Sequence, residues 1–224
     1  MRRLVLFVEG EGEAAAVPTL VRRLISEKGG WPDIFLDDHP FRVGSVEKLV
    51  KAEHREWKRF LGAGLKRPNV GGVLLILDGD ADKAGGKTFC AAEVARSLAG
   101  AARQVGAGTT FSVAVVFARQ GFESWLIAGI ASLRGQALPD GRLVGSEATA
   151  PEGDLEVSPR DAKGWLSAIL EGGYKPTRDQ AVLTKLIDLD VIRGRGLRSF
   201  RRLESALATL LEAFRSNQPT ASPS

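Results

Sequence analysis

Six carboxylates in two short stretches are the residues best suited to do chemistry: Glu9, Glu11 and Glu13 in Val8-Glu9-Gly10-Glu11-Gly12-Glu13, and Asp78, Asp80 and Asp82 in Leu77-Asp78-Gly79-Asp80-Ala81-Asp82. Each stretch ends an apolar run, Leu4-Val5-Leu6-Phe7-Val8 in one case and Val73-Leu74-Leu75-Ile76-Leu77 in the other. A run that stops abruptly at acids and glycines reads as a buried strand delivering charge to the edge of a sheet. On neighbouring strands the carboxylates converge. Two of them about 4 Å apart repel by roughly 1 kcal/mol in water and about 4 kcal/mol at an effective dielectric near 20, so a cluster of three or more needs protons or a cation. Oxygen donors of this kind select hard cations, Mg²⁺ or Mn²⁺, which keep some water and meet substrate phosphates. The chemistry implied is phosphoryl transfer or phosphodiester cleavage, with the cation polarising the phosphate and activating a nucleophile. A lone strand-end acid is better explained as a helix cap; the joint pattern favours metal chemistry.

Other residues carry weaker signals. Glu123 falls just past a later apolar run, where it either completes the cluster or stabilises the first turn of a helix. Glu11 and Asp82 read equally well as neighbours of the cluster or as solvent-facing acids. Ala81-Asp82-Lys83-Ala84-Gly85-Gly86-Lys87-Thr88 nearly matches a phosphate-binding P-loop but lacks its first glycine. No later strand ends in an acid suited to its Mg²⁺, so Lys87 is read as a contact to substrate phosphate or a solvated charge. Arg193, Arg195, Arg198, Arg201 and Arg202 surround two glycines and suit nucleic-acid phosphates, or simply an exposed basic turn. His39 and His54 are expected at the surface, and Trp125 in the core.

The elements that must position these groups alternate in the first half. Residues 4–8 read as a strand, 14–28 as an amphipathic helix with Pro18 in its first turn, and 34–43 as a weaker strand. A charged helix over 45–61 follows, then the strongest strand at 73–77, an Ala-rich helix over 87–105 and a buried strand over 110–117. This predicts a doubly wound α/β sheet of about four mostly parallel strands flanked by helices. Ligands of such sheets bind beyond the carboxyl ends of the strands, where both acidic stretches fall. Residues 122–133 read as helical. The expected organisation is a catalytic domain over 1–133, a Gly- and Pro-rich linker over 134–159, a helical C-terminal extension over 160–216 and a disordered tail over 217–224.

Composition removes several classes of protein. The 224 residues are 44% hydrophobic, enough for a large core. One cysteine, Cys90, excludes an internal disulfide and a multi-cysteine zinc site, and agrees with a reducing cytoplasm. The start lacks a signal-peptide core, and no apolar run reaches the roughly 20 residues of a membrane span. A net charge of +4 is compatible with nucleic acid without requiring it.

A glutamate closing the first strand, followed two strand-helix units later by an apolar run ending in Asp78-Gly79-Asp80, resembles the Toprim domain shared by topoisomerases, bacterial primases and the nucleases named for overcoming a lysogenisation defect. The resemblance covers residues 1–120. It implies that Glu9 is a metal ligand or general acid/base and that Asp78 and Asp80 bind Mg²⁺. Val8-Glu9-Gly10-Glu11-Gly12-Glu13 is similar to the nuclease branch, in which the later glutamate, here Glu13, also approaches metal. Gly121-Phe122-Glu123-Ser124-Trp125-Leu126 and Ser199-Phe200-Arg201-Arg202-Leu203 look like a small stand-alone bacterial Toprim family of unknown function, whose members resemble partners of ABC-type or AAA-type ATPases in phage defence.

The expectation is therefore an Mg²⁺-dependent nuclease acting on DNA or RNA. Tyr174, the only tyrosine, is a poor candidate for a topoisomerase nucleophile because the domains that such work requires are missing. The alternatives are a regulatory or nucleic-acid-binding subunit without catalysis of its own, and a P-loop NTPase.

Overall fold

A computed structural model describes residues 1–30 and 33–223. The strands β1 (Arg2–Val8), β2 (Ile34–Leu36), β3 (Phe41–Arg42), β4 (Val70–Asp78), β7 (Ser112–Ala118) and β8 (Ala221–Ser222) form one parallel sheet. Its order is β2-β1-β4-β7-β8, with β3 beside the carboxyl end of β1. The other two strands, β5 (Lys83–Ala84) and β6 (Lys87–Thr88), pair only with each other. The central strands are apolar without alternation because both faces are covered.

Alternate residues of each strand serve different cores. Leu4, Leu6, Val8, Leu74, Ile76, Ala114 and Val116 face α1 (Glu11–Glu27), α5 (Glu123–Gly129), α7 (Pro176–Leu186), α8 (Leu189–Gly194) and α9 (Arg198–Ser216). Val5, Phe7, Val73, Leu75, Leu77, Val113 and Val115 face α2 (Val46–Val50), α3 (Arg55–Gly64) and α4 (Ala91–Arg103). From β1 the chain crosses by α1 on one face to β2, then returns by the opposite face to β4. The boundary between β1 and β4 is thus the topological switch point, where a crevice opens beyond the strand ends.

The α/β class and the parallel sheet are as expected; several local readings are corrected. Helix α1 starts at Glu11 rather than residue 14, so Pro18 lies in its interior, where one helical hydrogen bond is missing. The charged helix over 45–61 is broken between α2 and α3, since Ala52, Glu53 and His54 all take left-handed φ values of 47°, 52° and 62°. The near P-loop is a hairpin. Gly85 and Gly86, at φ 59° and 79°, form the turn between β5 and β6, and the following helix opens only at Ala91. No helix N-terminus is left for Lys87 and Thr88 to bring to a phosphate.

Residues of the segments expected as linker and helical extension share a core with the first strands. Leu138, Val144 and Leu155 of the loop, and Leu166 of α6 (Ala162–Ile169), are buried in the same core as Leu4 and Val116. Helix α9 packs on β7, and it comes close to β4 because Gly72 has no side chain: a β-carbon there would lie 2.9 Å from Phe214. Within 217–224, expected to be disordered, β8 pairs with β7 as Val113↔Ala221 and Ala114↔Ser222; Ser224 lies outside the described residues. Among the described residues no helix is long and apolar enough to cross a membrane.

Candidate functional site

Glu9 leaves the end of β1 and Asp78 is the last residue of β4, so the switch point brings them together. The Asp78 N–H donates to Glu9 Oε2 at 3.2 Å. Asp78 Oδ1 accepts the Phe122 N–H at 3.0 Å, which ties the aspartate to the turn before α5. That turn needs Gly121: its φ is 92°, and a β-carbon would lie 3.3 Å from Glu123 Oε2 and 3.4 Å from Asp78 Oδ2. These two carboxylates therefore flank one small space. Glu13, in the first turn of α1, accepts the Gly10 N–H at 3.0 Å and the Gln180 amide at 3.0 Å.

Glu123 is nearly inaccessible, at 2% exposure. It accepts the Tyr174 hydroxyl at 3.2 Å and the Gln180 amide at 3.4 Å, with Lys163 Nζ at 3.9 Å. The oxygen of that amide, Gln180 Oε1, is buried without a hydrogen-bond partner among the described residues. Asp80 and Asp82 are exposed and line an adjoining cleft. Glu11 is exposed and pairs with Arg42 at 3.6 Å.

Burial and the neighbouring charges raise the proton affinity of three of these carboxyls, Asp78, Glu9 and Glu123. The carboxyl of Asp78 is raised well above its ordinary range, first by loss of water and then by the charges of Glu13, Glu123, Glu9 and Asp80. Burial likewise raises Glu9, against the opposing Asp78 N–H bond. It raises Glu123 against the nearby Lys163 ammonium. Burial and the neighbouring Glu123 charge push the Tyr174 phenol upward as well, so the hydroxyl stays a donor.

A second acidic group lies at the end of β2. Among the described residues, only Asp37, Asp38 and His39 bring three ligand atoms within 4.8 Å of one another; the strand-end carboxylates are spread more widely. Asp37 is already compensated, by Arg3 at 2.9 Å and by Arg67. Burial alone would raise its carboxyl, but the Arg67, His39 N–H and Arg3 bonds outweigh it and lower the net value. His39 is exposed, as expected, beside Asp38 at 3.2 Å.

A family described as a domain of unknown function, DUF4276, matches residues 8–208, which include every carboxylate of the strand-end group. The chain belongs to this family. No curated protein and no solved structure matches it.

In this DUF4276 chain the five arginines singled out in the sequence do not act together. Arg193 is enclosed by Glu27, Asp190 and Glu204, and Arg195 donates to the Pro151 carbonyl. Only Arg198 and Arg202 line the cleft beside Asp80, where Arg96, Arg119 and Arg160 join them. Lys87 is exposed on the hairpin and does not line that cleft. His54 is half-buried at the surface, against Ser97 Oγ at 2.8 Å, and Trp125 is core, donating to Ser199 Oγ at 2.8 Å. Sequence reasoning missed Gln180, Tyr174 and Lys163. Polar positions on an otherwise amphipathic helix carry no mark of what they will face; the single tyrosine was the one visible signal.

Proposed function

We propose that this domain is an Mg²⁺- or Mn²⁺-dependent phosphodiesterase of the Toprim type, acting on nucleic acid. The observation that carries the reading is the junction of Glu9 and Asp78 at the switch point, with Glu13 and Glu123 buried beside them. Like charges held away from water bind either protons or a cation, and the all-oxygen donor set suits a hard divalent ion. One detail supports that fit: the paired Asp78 and Glu123 oxygens over Gly121.

Glu9, Asp78 and Asp80 would hold the ion, with Glu13 and Glu123 adjoining. When bound, such an ion polarises a phosphate and lowers the pKa of water. The remaining work belongs to the chain. Phe122 N–H fixes Asp78 through Oδ1, leaving Oδ2 directed over Gly121. Glu9 is anchored through Oε2, and its raised proton affinity suits Oε1 to take up and return a proton. Gln180, Tyr174 and Lys163 hold Glu123 in one orientation.

The test is cleavage of labelled single- and double-stranded oligonucleotides by the purified chain. Cleavage is expected with Mg²⁺ or Mn²⁺, lost in EDTA, and reduced at least about 100-fold by Asp78→Asn and by Glu9→Gln. Circular dichroism should be unchanged in both variants. Cleavage retained by both would overturn the proposal.

A further inference from the structure

Beside the carboxylates lies an open cleft of about 910 Å³, a size within the range of small-molecule and cofactor sites of about 300–1,000 Å³. Its floor is apolar: Phe117, Val115 and Ala95 are buried, and the half-buried Phe89 stands edge-on to Phe117 at 5.3 Å. Its rim is cationic. Five arginines of the chain, Arg55, Arg96, Arg119, Arg160 and Arg201, have no ion pair, hydrogen bond or ring contact of their guanidinium among the described residues. Three of these, Arg96, Arg119 and Arg160, line this one cleft. The two other arginines there are engaged, Arg198 by Glu156 at 3.1 Å and Arg202 by Ser222 Oγ at 2.7 Å. The acids of the lining are Glu156, occupied by Arg198 and the Ser199 N–H, and Asp80 and Asp82 at the end nearest Asp78.

Unpaired guanidiniums around an aromatic floor suit a ligand with regularly spaced anions and a flat apolar face. We infer that the cleft binds a single strand of nucleic acid, with phosphates on Arg96, Arg119 and Arg160 and an unstacked base against Phe89. The inference rests on the phosphodiesterase reading for its ligand class, and it adds the substrate form and the residues that select it. A duplex keeps its bases stacked inside and offers only phosphates, leaving the apolar floor uncovered. A single strand covers the floor with a base, as in other single-strand grooves that combine cationic walls with stacking aromatics. A strand in this cleft reaches Asp80 directly, so its phosphodiesters pass beside the carboxylate group.

Binding measured without catalysis separates the two claims. Fluorescence anisotropy in EDTA, with labelled oligo-dT, oligo-U and a duplex of equal length, should give tighter binding of a single strand than of the duplex. The logarithm of affinity should fall with the logarithm of salt by about 0.7 per phosphate contacted. Arg96→Ala, Arg119→Ala and Arg160→Ala should each lower that slope by about 0.7, while Arg55→Ala and Arg201→Ala leave it unchanged. Phe89→Leu, which keeps the contact with Phe117, should weaken binding roughly 5- to 100-fold, and Phe89→Trp should restore it. Equal or tighter duplex binding, slopes unmoved by the three cleft arginines, or a mononucleotide competing as well as an oligonucleotide would each overturn the inference. Binding as described with no cleavage on adding Mg²⁺ would leave the cleft standing and remove the phosphodiesterase reading instead.

Discussion

Asp78 concentrates the electrostatic cost of this domain in one side chain. Its proton affinity is raised in the folded state, so between the ordinary aspartate value of 3.8 and its higher folded value the native protein binds more protons than the unfolded chain. Stability contributed at this site is therefore present at low pH and declines as pH rises through that window. In EDTA, Asp78→Asn should melt at the same temperature as the wild type near pH 3 and above it at neutral pH. A neutral-pH melt with no gain for the variant would show that repulsion at Asp78 is already relieved. Divalent cation should do for the wild type what the substitution does for the variant. At a hundred times the dissociation constant, binding stabilises by about 2.7 kcal/mol, or about 5–10 °C for a chain of this size. Thermal melts against Mg²⁺ should show that rise for the wild type and a much smaller one for Asp78→Asn.

At the level of elements, the strand ends and the turns after them decide which carboxylates meet. Strand β4 delivers Asp78, β1 delivers Glu9, and the Gly121 turn folds α5 back so that Glu123 joins them. The hairpin β5–β6 stands between β4 and α4, and its two-glycine turn explains why Gly85-Gly86-Lys87-Thr88 is not a phosphate loop. The break between α2 and α3 is costlier. Three consecutive residues with side chains, Ala52, Glu53 and His54, sit in the left-handed region, where each L-residue is disfavoured by roughly 1–2 kcal/mol. Glu53 is exposed and central in that turn. Glu53→Gly should accordingly stabilise the protein, by about 0.5–1 kcal/mol after the added flexibility of the unfolded chain is set against the relief. Chemical denaturation that shows a loss of stability would mean the turn is not left-handed in solution.

Across the whole molecule, the sheet is covered on one face by α2, α3 and α4 and on the other by α1 and the helices after β7. The second cover draws side chains from both halves of the chain into one core. Removing residues 134–224 would expose Leu4, Leu74, Ala114 and Val116 together with the apolar face of α1, and would strip Gln180, Tyr174 and Lys163 from Glu13 and Glu123. Residues 1–133 alone should lack a cooperative unfolding transition and dispersed amide resonances, whereas the full chain shows both. A folded, soluble 1–133 fragment would restore the division into domain and extension.

Much of the architecture was legible because unbroken apolar runs ending in acids mean strands buried on both faces, and 3.6-residue periodicity means helices packed on them. Leu4 to Val8 and Val73 to Leu77 sufficed to place Glu9 and Asp78 at one edge of a parallel sheet. What the sequence left open depends on partners distant in the chain. Gln180 and Tyr174 meet Glu123 only after α7 has folded against α1, and Arg96, Arg119 and Arg160 come from three separated segments. The run from Arg193 to Arg202 stood out by local density, yet ion pairs to Glu27 and Glu204 occupy Arg193. Local patterns set where charge leaves a strand, because periodicity is a property of neighbouring residues. Only the tertiary structure decided which charges are compensated and which remain open to a ligand, because compensation is a property of residues brought together by folding.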